Sequence, residues 1–129
     1  MNVWEQIYTF NTEVLGVEPM GLGMLNADEV NDLHAFISEE TDEFVQADTM
    51  VEQVDALLDL IYFAVGGLTK VGMTPDEMAE CMTAVHTANM TKSLGKKDTR
   101  PDIQGTDARK PPGFVAPDEA IKRILEGGM

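Results

Sequence analysis

The sequence predicts an all-α fold: a four-helix core, then an extended C-terminal arm and a short terminal helix. Three observations carry this. Apolar residues recur at three- and four-residue steps through residues 2–92, capping signals stand at the helix starts, and no stretch alternates polar with apolar or repeats internally. With 129 residues, of which 43% are hydrophobic, the chain is long enough to bury one core. Nine Met against one Trp, two Tyr and five Phe point to a core of aliphatic and thioether side chains.

Helix one is expected from about Asn2 to Val14, since Trp4, Ile7, Phe10 (or Asn11) and Val14 follow the helical period before Gly16. Gly16, Pro19, Gly21 and Gly23 then mark a surface loop. Asn26 with Glu29 has the form of a capping box and opens helix two, which carries Val30, Leu33, Ile37 and Phe44 to about Ala47. Helix three is expected from about Met50 to Lys70, with Val51, Val54, Leu58, Ile61 and Val65 as its buried face. Gly66-Gly67 inside that pattern implies close packing or a bend. Thr74-Pro75-Asp76-Glu77 joins a Thr cap, a first-turn Pro and a Glu, and starts helix four, expected to reach about Lys92. Residues 93–117 are rich in Gly, Pro, Lys and Asp and read as an extended arm. The terminal helix is expected over Asp118 to Leu125, with Gly127 as its stop.

The net charge of −14 opposes non-specific binding to nucleic acid or to an anionic membrane. No apolar run approaches the roughly 20 residues that span a bilayer. The N-terminus lacks a basic region leading into an apolar stretch, and the chain is expected in the cytoplasm. One cysteine, Cys81, and two histidines, His34 and His86, make no zinc pattern, so any bound metal must be held by oxygen. Charge is unevenly distributed: residues 1–91 carry 17 acids against the single base Lys70, and residues 92–129 carry six acids against eight bases. An acidic body precedes a mildly basic tail.

An acidic run such as Glu39-Glu40-Thr41-Asp42-Glu43 is commonly a solvated helix face. Glu40, however, falls on the apolar stripe with Leu33, Ile37 and Phe44, and Glu43 lies one turn on. On helix three, Glu52, Asp55 and Asp59 fall within an arc of about 60° at 100° per residue. With no base before Lys70, carboxylates facing one another need a cation. A hard divalent ion fits, Mg²⁺ where phosphate is the substrate. Asn89 and Lys92 extend the Met78, Met82, Val85 stripe and are candidates for a ligand and a phosphate, and Lys96, Lys97 and Arg100 add basic groups.

These residues resemble the MazG-like all-α nucleoside triphosphate pyrophosphohydrolases, a group that includes dimeric dUTPases and phosphoribosyl-ATP pyrophosphohydrolase. Glu39, Glu40 and Glu43 match the E-E-x-x-E element. Asp59-Leu-Ile-Tyr62 with Gly66, the V-H-x-A-N-x-x-K segment from Val85 to Lys92, Phe10-Asn11, and Lys110-Pro-Pro-Gly-Phe114 match as well. The second acidic element departs from the family: three residues before Asp59 stands Ala56, whereas Glu52-x-x-Asp55 supplies E-x-x-D one turn earlier. Glu52 with Asp55, and Asp55 with Asp59, both remain open as the metal pair, Asp55 with Asp59 being preferred.

The resemblance implies a catalytic core over residues 1–92, with 93–129 as the arm and short helix of the same domain. It implies cleavage of a (deoxy)nucleoside triphosphate between the α and β phosphates to a monophosphate and pyrophosphate, with dGTP or dATP as candidate substrates. It further implies two or three Mg²⁺ ions per site, replaceable by Mn²⁺, on Glu40, Glu43, Asp55 and Asp59, with Glu52 auxiliary and Glu39 a ligand or the group that orients water. Phe10, Asn11, Asn89, Lys92, Lys96 and Arg100 would meet the nucleotide, Leu15 would help line the base pocket, and the chain would form a homodimer or homotetramer. The alternatives are a dUTPase, a phosphoribosyl-ATP enzyme, or a non-catalytic acidic protein that binds metal or a basic partner.

Overall fold

A computed structural model describes residues 1–128, which fall into two compact units, residues 1–78 and 79–128. The first holds α1 (Val3–Thr9), a π-helical turn (Phe10–Val14), α2 (Ala27–Gln46), α3 (Met50–Val71) and the first turn of α4 (Pro75–Asn89). The second holds the rest of α4, a ribbon of β1 (Ser93–Leu94) and β2 (Ala108–Arg109), and α5 (Asp118–Gly128). The fold is all-α, as expected. Among the described residues no single helix is long and apolar enough to cross a membrane.

Local chemistry accounts for the helix starts. Asn26 Oδ1 accepts from the Glu29 N–H at 2.8 Å while Glu29 Oε1 accepts from the Asn26 N–H at 2.9 Å, a complete capping box. Thr49 Oγ1 accepts from the Glu52 N–H, and Thr74 with Glu77 repeats the reciprocal pattern at α4. α3 ends at Gly72, whose φ of 98° is left-handed. A β-carbon there would lie 2.2 Å from the Gly21 carbonyl oxygen, and Gly23 donates to the Val71 carbonyl at 2.9 Å. The loop between α1 and α2 is thus pinned to the end of α3.

The observed chain departs from the expected one in four places. Helix one widens into a π-turn from Phe10. There Asn11 Nδ2 donates to the Ile7 carbonyl at 2.9 Å and Thr12 Oγ1 to the Tyr8 carbonyl at 3.0 Å, so side chains serve carbonyls that the widened turn would strand. Helix four stops at Asn89 rather than Lys92. The arm contains a ribbon, Ser93 facing Arg109 and Leu94 facing Ala108; strands of two residues are too short to show alternation. α5 runs through Gly127 to Gly128, because one Gly weakens a helix without forcing its end.

The core of the first unit also differs. Ile7, Ala56, Val65, Met73 and Met78 are buried, together with the polar Asn11 and Thr69. Of the stripe expected inside, only Val65 is. Val51, Val54, Leu58 and Ile61 are 47–74% exposed. α3 packs against α2 and α1, and these four side chains project from the face that neither covers.

Candidate active site

α2 and α3 form the walls of a cavity of about 430 Å³ that the π-helical turn and the following loop complete. Phe10, Asn11 and Leu15 line it, and so do Glu40 and Asp59. Aromatic side chains set its shape: the Phe10 and Tyr62 rings meet edge to face at 5.5 Å, and Phe36 stacks on Phe63 at 5.1 Å. Glycines set its depth. At Gly66 a β-carbon would lie 3.1 Å from Asn11 Oδ1, and at Gly67 one would lie 2.8 Å from Leu33 Cδ2.

Glu40 sits half-buried at the acidic end of this cavity. Its Oε2 is shut off from water and meets no hydrogen-bond donor. Desolvation, then the Glu43 carboxylate beside it through hydrogen bonding and charge, then Asp59 and Glu39, push its pKa from 4.5 up to about 7. Three expected site residues therefore act electrostatically on a fourth. The rest of the acidic set lies in a smaller cleft of about 290 Å³, where Glu43, Glu52 and Asp55 meet Gln46 and Ala56. Glu43 touches both groups, since it lines this cleft and reaches Glu40. Glu52 already serves the α3 cap, its Oε1 accepting from Thr49 Oγ1 at 2.9 Å.

These carboxylates suit a divalent cation by donor type and by charge. Their oxygens are hard, Glu40 Oε2 is orphaned, and Lys70 is the only base in the first 91 residues. Among the described residues, however, no three His, Cys, Asp or Glu side chains close around one point. The fit is one of chemistry; enclosure requires the carboxylates to turn inward.

The remaining expected residues, Asn89, Lys92, Lys96 and Arg100, belong to the second unit. There the ammonium groups of Lys92 and Lys110 stand 5.6 and 5.2 Å from the centre of the Phe114 ring. Two cations on one ring make a place that favours an anion. Arg100 has a partner within its own unit: Nη2 and Nε donate to Asp107 Oδ1 and Oδ2 at 2.7 and 3.2 Å. Arg100, and next the Ala108 N–H, hold the Asp107 carboxyl well below its ordinary range. Lys96 is exposed.

Sequence reasoning missed Lys70 as a residue that lines the cavity. The signal was present in the helical period, since Asp59, Tyr62, Phe63, Gly66 and Lys70 follow three- and four-residue steps along α3. The Phe36–Phe63 stack was also missed, because partners on different helices leave no joint pattern in sequence.

Comparison with known proteins bears on this geometry. The family model described as phosphoribosyl-ATP pyrophosphohydrolase matches residues 23–89, just over half of the chain. That stretch covers α2, α3 and α4, and so every acidic residue of the two clefts. No curated protein and no solved structure matches.

Proposed function

The chain belongs to the phosphoribosyl-ATP pyrophosphohydrolase family, among the MazG-like all-α nucleotide pyrophosphohydrolases, and from that premise we propose that it hydrolyses a deoxynucleoside triphosphate between its α and β phosphates. The products are a nucleoside monophosphate and pyrophosphate, with a deoxypurine triphosphate, dGTP or dATP, as the favoured substrate. The observation that carries the reading is Glu40, a carboxylate with a solvent-free, unpartnered oxygen at the acidic end of an aromatic-walled cavity. A buried acid without a cationic partner is costly unless a ligand supplies the missing charge.

Glu40, Glu43, Asp55 and Asp59 would hold Mg²⁺ or Mn²⁺, two or three ions per site, with Glu52 auxiliary. Divalent ions bound there supply charge to the phosphates and acidity to an attacking water. Glu39, exposed next to Glu40, would be a further ligand or would orient that water. Phe10 and Tyr62 offer their rings to the base within a largely apolar cavity. Asn89 and Lys92 are proposed to meet the nucleotide, and the Lys92–Phe114–Lys110 arrangement supports a preference for anions there. Lys96 and Arg100 are weaker candidates, Arg100 because Asp107 already engages it. The exposed Val51, Val54, Leu58 and Ile61 face supports a homodimer or homotetramer.

The test is a panel of nucleotides with Mg²⁺ and a pyrophosphate readout. Release of pyrophosphate from a deoxynucleoside triphosphate is expected; release of single phosphate alone, or no turnover anywhere on the panel, would overturn the reading. Phosphoribosyl-ATP is the second reading, favoured by the description of the matching family, and belongs on the same panel with dUTP. Metal binding without any turnover would instead mark a non-catalytic acidic protein.

A further inference from the structure

The cavity has an acidic end, and it also has an end that neither metal nor phosphate explains. Resting on the reading above, a nucleotide with its phosphates at Glu40 and Asp59 lies along α3. The helix rises about 10 Å between Asp59 and Gly66, which brings the base to Gly66 and Asn11. Asn11 is only 4% exposed, and its orientation is set by chemistry. The Ile7 carbonyl can only accept, so the nitrogen of the amide must face it, at 2.9 Å. Oδ1 is left as an acceptor beside Gly66, with no donor among the described residues.

Lys70 is the complementary group. It lies one helical turn beyond Gly66 on the same face of α3 and lines the same cavity. Helical side chains lean toward the N-terminus, so the Lys70 stem leans back toward Gly66 and Asn11. No described residue forms a salt bridge with it, although acids outnumber bases 17 to one in residues 1–91. Asn11 Oδ1, an acceptor without a donor, and Lys70, an exposed ammonium without a salt-bridge partner among the described residues, thus line one cavity with the Phe10–Tyr62 ring pair.

The geometry points to Lys70 as a specificity-determining residue that takes the carbonyl oxygen of a keto base while the adjacent ring N–H donates to Asn11 Oδ1. Guanine, hypoxanthine, uracil and thymine all present that pair. Adenine and cytosine set an amino group where the carbonyl stands, and an ammonium repels it. Among the deoxypurine triphosphates, Lys70 and Asn11 therefore select the 6-keto base.

The sharpest comparison is dITP against dATP, which have nearly the same shape and opposite hydrogen-bonding at this edge. The native protein should favour dITP by about tenfold or more in kcat/KM, chiefly through KM. Lys70→Met should bring the two close to parity, and Lys70→Arg should retain the preference. Calorimetric binding of dIMP against dAMP should show the same order without turnover, and dUTP against dCTP tests whether pyrimidines are read alike. Equal use of dITP and dATP, or a preference that Lys70→Met leaves intact, would overturn the assignment while the hydrolysis stands. Absence of turnover on every nucleotide would overturn the hydrolysis, and the monophosphate comparison would then decide the role of Lys70 alone.

Discussion

Asn11 of the π-helical turn and Gly66 of α3 are fitted to each other, so closely that a β-carbon on residue 66 would lie 3.1 Å from Asn11 Oδ1 and 3.3 Å from Nδ2. Gly66→Ala sets two effects against each other. Alanine gains about 1 kcal/mol of helix propensity over glycine, and the displaced Asn11 loses part of its bond to Ile7. Melting temperature should change little, whereas KM for the preferred nucleotide should rise several-fold with kcat nearly constant. An unchanged KM would remove Asn11 from the base site.

Catalysis should depend on Glu40 and Asp59 much more than folding does. Glu40→Gln and Asp59→Asn are each expected to lower kcat by at least about a hundredfold while preserving the helical circular dichroism spectrum. EDTA should abolish turnover and added Mg²⁺ restore it. Full activity in both variants would place the metal site elsewhere.

The shifted titration of Glu40 gives a pH dependence for the metal-free protein. Its folded pKa of about 7 lies above the ordinary 4.5, so between these values the native chain binds more protons than the unfolded one. The stability linked to Glu40 is full below pH 4.5 and is lost as pH rises through about 7. Chemical denaturation at a series of pH values should show that decline, and Glu40→Gln should flatten it. A native protein that gains stability across the same window relative to the Gln variant would contradict the assignment.

The open face of α3 predicts assembly. Val51, Val54, Leu58 and Ile61 repeat on one side of the helix with roughly half or more of each side chain exposed. Sedimentation should find an oligomer, and Leu58→Glu should return it to monomer, since a charge buried in such an interface is costly. A monomeric native protein would show that this face is not self-complementary.

Several features were legible because their causes are local in the chain. Asn26 with Glu29 and Thr74 with Glu77 place their hydrogen bonds within one turn, so two helix starts could be read from residue types alone. The partial burial of Glu40 was legible through its position on an apolar stripe. Other features were not, because their partners are distant in sequence. The π-turn at Phe10–Val14 accommodates Asn11 against Gly66, 55 positions away. Arg100 looked available for phosphate until Asp107 was brought opposite it by the β1–β2 ribbon.

By itself, then, the sequence determined the helices, the excess of carboxylates and the absence of bases near them, since hydrophobic period, capping and charge are properties of neighbouring residues. Tertiary structure decided how those carboxylates divide between two clefts, with Glu40 and Asp59 in one and Glu43, Glu52 and Asp55 in the other. It also decided that Val51, Val54, Leu58 and Ile61 stay outside, and that Lys70 faces the same cavity as Asn11. The period of a helix states which residues need cover, and only the packing of its neighbours states which of them receive it.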